Sequence, residues 1–182
     1  MSAENIPRYY WILGCIEMAE RRPLKALRRL RRAESILREQ RALLMLPLVL
    51  HASADAYRRI GDLDKAGYYC SEAIEVATSR GLVSIQTESL ILRAGIDLKR
   101  ALKTTDSPSF ERDYEILQAM DDADAALSLA KEHHYPWLKL NALLQLAKGA
   151  KAQGNTDAAK EYRRKAESLS KHLMGDSSED VA

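Results

Sequence analysis

Cysteine is nearly missing from this chain, with Cys15 and Cys70 the only two in 182 residues. Two are too few for a disulfide framework, and they fit a reducing compartment, where a free thiol acts as a small apolar side chain. Punctuating residues are scarce too, at 5 Pro and 8 Gly, and aromatics make up 6%. That excludes a β-sandwich or barrel, which needs frequent turns, and a Pro/Gly-rich disordered chain. Neither sign of charge dominates, since 28 Lys/Arg stand against 26 Asp/Glu. A general nucleic-acid binder is more basic than this. The longest apolar run, Ala42 to Leu50, contains Pro47 and is far too short to span a bilayer. Met1 to Asn5 carries an acid and no apolar stretch, so no signal peptide is expected. The expectation is a soluble, cytoplasmic protein with no membrane partner.

What is abundant is helix-forming. Alanine and leucine supply 26 residues each, and with the charged residues they account for more than half of the chain. Such a mixture predicts an all-α protein. Charge is distributed unevenly. Residues 1–60 hold 12 Lys/Arg and 6 Asp/Glu, whereas residues 61–182 hold 16 and 20. An electrostatic partner therefore meets two different ends.

The chain repeats. A shift of 93 residues lays Gly61 on Gly154, Asp62 on Asn155, Asp64 on Asp157, Ala66 on Ala159, Tyr69 on Tyr162 and Ala73 on Ala166. Each Gly-Asp/Asn pair sits between two helical patterns, the glycine suited to end one helix and the Asp or Asn to cap the next. The shift resolves into 40 plus 53. Four units emerge, at about 6–40, 41–80, 81–134 and 135–174, with one insertion near Lys103 to Asp113. Each unit predicts two helices: Ile6 to Ala19 and Leu24 to Glu39, Leu43 to Arg59 and Leu63 to Ser79, Val83 to Lys103 and Phe110 to His133, Trp137 to Gln153 and Asp157 to Leu173. Pro23 and Pro136 fall at helix starts, where a missing N–H costs nothing. Pro47 either marks the true start of the third helix or kinks its first turns. Thr104 to Ser109 reads as loop, and the acidic tail 175–182 as disordered, leaving 1–174 as the repeat domain.

In register, the first helices carry Gly14, Ala54, Ala94 and Ala147, and the second helices carry Ala26, Ala66, Ala119 and Ala159, then Ala33, Ala73, Ala126 and Ala166. Four residues before each first-helix small position stands Tyr10, Leu50, Leu90 or Leu143. A methyl or hydrogen lets backbones approach, and the preceding large residue fills the seam. This pattern resembles tetratricopeptide (TPR) repeats over roughly Arg8 to Leu173. The late first-helix tyrosine of the family appears only as Tyr57, its repeat-ending proline is missing, and the spacing is 40 rather than 34. The resemblance implies a right-handed solenoid of four helical hairpins. Longer units of this kind resemble those of bacterial signalling regulators and some eukaryotic adaptors.

The resemblance also implies that the first helix of each pair lines a concave groove. The groove-facing positions are then Trp11, Cys15, Met18 and Ala19; His51, Asp55, Arg58 and Arg59; Ile91, Gly95, Leu98 and Lys99; and Leu144, Lys148, Lys151 and Ala152. Such a groove has an apolar section near Trp11 and Ile91 and a basic lip from Arg58, Arg59, Lys99, Lys148 and Lys151. It suits a peptide or helix with acidic and apolar residues. Trp11 and Cys15 occupy the positions where some TPR domains clamp a terminal carboxylate, which argues against a clamp of the chaperone type.

Two segments ask for more than packing. The second helix and its flanks crowd Arg21, Arg22, Lys25, Arg28, Arg29, Arg31, Arg32, Arg38 and Arg41 around a buried stripe of Ala26, Leu30, Ala33 and Leu37. These cations suit phosphate or an acidic protein, and a plain solvated face is the simpler account. They lack interleaved aromatics, so stacking on single-stranded bases finds no support. The first helix leaves few polar positions, and Ile6, Tyr9, Ile12 and Ile16 lie where a terminal helix should be polar. Either these residues extend the groove's apolar patch, or they meet a second copy of the chain or a preceding domain.

No catalytic or metal constellation stands out, and no cofactor is expected. His133 and His134 diverge on a helix, Cys70 reads as core, and Cys15 has no evident base. Asp121 and Asp122 read as a solvated charged face. The leading expectation is a non-enzymatic protein–protein interaction module, a scaffold or signalling part that binds a partner in its groove. The alternatives are a sensor domain of a bacterial signalling or transcription regulator, taking a peptide or small ligand, and, more weakly, a basic nucleic-acid adaptor.

Overall fold

The computed structural model describes residues 5–103 and 109–175. Those residues form eight helices: α1 (Asn5–Ala19), α2 (Pro23–Glu39), α3 (Leu46–Ile60), α4 (Leu63–Ser79), α5 (Val83–Lys103), α6 (Ser109–Glu132), α7 (Pro136–Ala152) and α8 (Thr156–Met174). Among the described residues there is no strand. Of the expected loop Thr104 to Ser109, residues 104–108 lie outside the described residues, while Ser109 opens a helix instead; of the expected disordered tail 175–182, residues 176–182 lie outside them.

The helix bounds fall within one residue of the periodicity, with one exception. The third helix begins at Leu46 rather than Leu43. Pro47 decides this, because it sits in the first turn, where its missing N–H has no helical partner to lose. It starts the helix and does not kink it. Pro23 and Pro136 open α2 and α7 in the same way. Asp62 and Asn155 cap α4 and α8 as their spacing predicts, accepting from the backbone N–H of Lys65 and Ala158 at 3.2 and 3.1 Å.

The corners between helices keep a stricter beat than the side chains. A left-handed residue stands at Arg21, Arg41, Gly61, Gly81, His134 and Gly154. The first four are spaced by 20, as are the last two. Glycine takes this conformation freely, whereas an L side chain strains its backbone by about 1–2 kcal/mol. Arg41→Gly is therefore expected to raise stability by about 1 kcal/mol, read as a rightward shift of the denaturant midpoint at unchanged slope.

Each helix packs against the next in the chain. In addition α1 packs on α3, α3 on α5 and α5 on α7, while among the described residues the backbones of α2, α4, α6 and α8 stay apart, and the Arg38–Glu72 ion pair reaches from α2 to α4 by side chains alone. The odd-numbered helices therefore form the inner rail of a curved array and the even-numbered ones its outer row. This is an all-α, TPR-like arrangement of four helical hairpins. The 12 small residues of the repeat are all buried in it. Gly14 shows why: a Cβ there would lie 2.8 Å from Leu30 Cγ, and Leu30 is fully buried. Leu50, Leu90 and Leu143 fill the seams as expected, and Cys70 is core, its thiol pushed up by burial. The core divides into two clusters, one spanning α1 to α4 and one spanning α5 to α8. Helix α5 serves both, with Ile96 in the first and Leu90, Ala94, Leu98 and Ala101 in the second.

Candidate functional site

The inner face holds a cavity of about 480 Å³ between three odd-numbered helices. Helix α3 contributes His51, Asp55 and Arg58; α5 contributes Glu88, Ile91, Leu92 and Gly95; α7 contributes Leu138, Asn141, Gln145 and Lys148. Of the sequence-predicted positions the cavity brings together His51, Asp55, Arg58, Ile91, Gly95 and Lys148. Lys99 stands beside it and reaches the Arg58 carbonyl oxygen at 3.5 Å. Arg59 turns to the first hairpin and donates to the Met18 carbonyl oxygen at 3.1 Å.

Several expected positions lie elsewhere. Trp11 is half-buried against the first core cluster, and Cys15 is exposed on α1, so neither lines the cavity. Lys151 is exposed and also outside it. Met18 and Leu98 are buried in the core, because the position four after the small residue points back into the hairpin there.

The cavity is not basic, as the residue count had implied. The Asp55 carboxylate accepts from Arg58 Nε at 2.9 Å and from Arg59 Nε at 2.9 Å. Its lining acids, Asp55 and Glu88, match its lining bases, Arg58 and Lys148, in number. His51 Nδ1 lies 3.1 Å from Ser89 Oγ, and burial lowers the imidazole below its usual value against the pull of Glu88 and Asp55. At neutral pH that ring is uncharged and available as a hydrogen-bonding group.

The sequence missed Glu88, Leu92, Leu138, Asn141 and Gln145, although the repeat register holds the signal for all but Leu138. Glu88 and Asn141 both stand six before the small residue, and Leu92 and Gln145 both two before it. One turn earlier on the same helix face would have found them. Asn141 and Gln145 are four apart and share a face of α7. The Gln145 Oε1 atom is buried and, among the described residues, has no hydrogen-bond partner. Gly95 stands close to that amide, since a Cβ there would touch it at 3.6 Å, an ordinary van der Waals distance.

No family model matches the chain, and no curated protein matches it. Its structural neighbours are TPR-like repeat proteins. One is the Podosopora anserina putative kinesin light chain with nearly identical TPR-like repeats, at 13% identity over 94% of this chain and 97% of that one, TM-score 0.38. A point variant of the same protein aligns over 96% and 99% at 13% identity, TM-score 0.41.

The other predicted surfaces can be placed directly. On α1, Tyr9, Ile12 and Ile16 are exposed and Ile6 is half-buried. On α2, Arg31 donates to the Tyr57 hydroxyl at 2.8 Å, and Arg38 binds Glu34 at 2.8 Å and Glu72 at 2.6 Å. Arg22 pairs with Glu17 and Glu20. Arg21 supplies a left-handed corner. Solvation does not account for Asp122, which takes both Arg93 Nε and Nη2 at 2.6 and 2.7 Å and ties α6 to α5, while Asp121 is exposed. Among the described residues no group of side chains has the make-up of a metal site, and no helix is long and apolar enough to cross a membrane.

Proposed function

We propose that this chain is a protein-interaction module that holds a peptide of a partner protein in the cavity between α3, α5 and α7. The observation that carries the reading is the Asn141–Gln145 face of α7, which lines a charge-balanced cavity and holds a buried amide oxygen, Gln145 Oε1, left unbonded. An unpaired buried acceptor costs about 1–3 kcal/mol, which a ligand N–H recovers on binding. Side-chain amides offer a donor and an acceptor together, which is what a peptide backbone needs. Ile91, Leu92 and Leu138 supply an apolar wall for one anchoring side chain. Because the acids and bases of the lining balance, the partner segment is of mixed character rather than acidic.

A sensor role with a small ligand is the second reading, and the volume favours it, since about 480 Å³ lies within the range of small-molecule sites. In both readings the protein acts by binding and not by catalysis. Selection of peptides from a random display library against the whole chain, followed by fluorescence anisotropy, tests the first. Gly95→Leu fills the cavity and is expected to weaken the selected peptides at least tenfold. The same change is expected to raise the stability of α5 by up to about 1 kcal/mol through helix propensity. Unchanged peptide affinity in that variant and in Gln145→Leu sinks the groove assignment. Binding of metabolite-sized ligands alone, lost in Gly95→Leu, favours the sensor reading.

A further inference from the structure

The α1–α2 end of the array carries two features that the groove does not use. The first is a set of idle cations. The side chains of Arg22, Arg31 and Arg38 are engaged with acids or with Tyr57, whereas those of Lys25, Arg28, Arg29 and Arg32 have no hydrogen-bond or ion-pair partner among the described residues. These four surround a cleft of about 470 Å³ whose other walls are Tyr10 and Glu17. Glu17 is already held by Arg22 at 3.4 Å. The cleft thus gathers positive charge that the fold leaves unneutralised, and like charges so close repel one another until an anion arrives.

The second feature is apolar. Tyr9, Ile12 and Ile16 remain 47%, 43% and 48% exposed. Their three- and four-residue steps align them on the side of α1 opposite its buried Pro7, Gly14 and Met18. Helix α1 touches only α2 and α3 among the described elements. The two features adjoin, because the ring of Tyr9 meets that of Tyr10, a wall of the cleft, edge-on at 5.7 Å.

We infer that this end docks an amphipathic acidic helix of another protein, laid along α1, with apolar side chains covering Tyr9, Ile12 and Ile16 and carboxylates entering the cleft. The 15 residues of α1 set the scale, since four turns of helix run about 22 Å. Nucleic acid answers the cations but brings nothing to cover a stripe of isoleucines, and Tyr10 alone is no stacking platform. An anionic bilayer answers both charges and stripe. However, the stripe is half-sunk and the cations sit within a cleft, which suits discrete carboxylates better than a plane of headgroups. The docking surface is separate from the α3–α5–α7 cavity and stands or falls independently of it.

The test uses the whole chain and a labelled synthetic helix of about 18 residues, a leucine stripe flanked by glutamates, beside the same helix with lysines. Binding of the glutamate helix is expected, at least tenfold weaker at about 300 mM than at about 50 mM salt. It should fall at least tenfold in Arg28→Glu/Arg32→Glu and, separately, in Ile12→Ser/Ile16→Ser, while Gly95→Leu leaves it unchanged. Circular dichroism and melting curves show whether each variant keeps its fold, and the charge variant alone suffices should the isoleucine variant unfold. The inference is overturned by equal binding of the lysine helix, by no binding, or by indifference to the charge variant. Tighter capture by a DNA duplex or by phosphatidylserine vesicles overturns it in favour of those occupants. Light-scattering evidence of self-association lost in the same variants assigns the surface to a second copy instead.

Discussion

Leu50→Ala is expected to lower the unfolding free energy by about 2–5 kcal/mol, the range for removing a fully buried leucine from a packed core. Leu50 fills the seam one turn ahead of Ala54, where α3 lies against its neighbours. The loss should also be uneven. Leu50 belongs to the cluster of α1 to α4, and the cluster of α5 to α8 does not share it. In a stacked array, stability is a sum of unit and interface contributions, so damage to one end need not melt the other. Hydrogen exchange in the variant is expected to show α1 to α4 opening at lower denaturant than α7 and α8. Coincident loss of protection throughout would mean that α5 couples the two clusters too tightly to separate.

Asp97 sets the second large effect, and it acts through pH. Its side chain is 14% exposed and donates nothing, accepting from Arg100 at 3.0 Å. Burial outweighs that cation and pushes the carboxyl from its ordinary 3.8 up to about 6, with Asp122 and Glu115 adding to the rise and Arg93 opposing it. The folded chain then holds the proton more tightly than the unfolded one between these two values. By linkage, Asp97 is without penalty below about pH 4, stability falls as the pH rises from 4 to 6, and the penalty is full above 6. Its size is on the order of 3 kcal/mol for a shift from 3.8 to about 6. Asp97→Asn keeps an acceptor for Arg100 and removes the charge. The variant is expected to equal the wild type near pH 4 and to exceed it by about 1–3 kcal/mol at pH 7, measured by urea unfolding across that range. A difference between the two proteins that does not change with pH would refute the assignment.

The fold was legible because its constraint is steric and periodic. Only Ala or Gly fits where backbones cross, so Gly14, Ala54, Ala94 and Ala147 announce the crossings without help from their surroundings. The corners were half legible. Gly61 and Gly154 declare themselves, but Arg21, Arg41 and His134 take the same left-handed conformation under compulsion from the packed hairpins, and nothing local marks them. The site was less legible still. A cavity is made by three helices jointly, so Glu88, Asn141 and Gln145 acquire meaning only when α5 and α7 are side by side. Counting charges also misled, because Arg58 and Arg59 converge on Asp55 at three- and four-residue spacing and so cancel much of the lip they were thought to form.

The contact between odd-numbered helices and its absence among even-numbered ones has a mechanical consequence. A row joined along one edge and open along the other bends like a leaf spring: stiff against stretching on the joined side, compliant against fanning on the open one. The α3–α5–α7 cavity lies on the stiff edge, where its walls keep their spacing while the array flexes. Arg38 and Glu72, bridging α2 to α4, form an ionic tie across the compliant side. That ionic tie weakens with salt, so the curvature of the array should relax as ionic strength rises, which small-angle X-ray scattering would register as a growing radius of gyration.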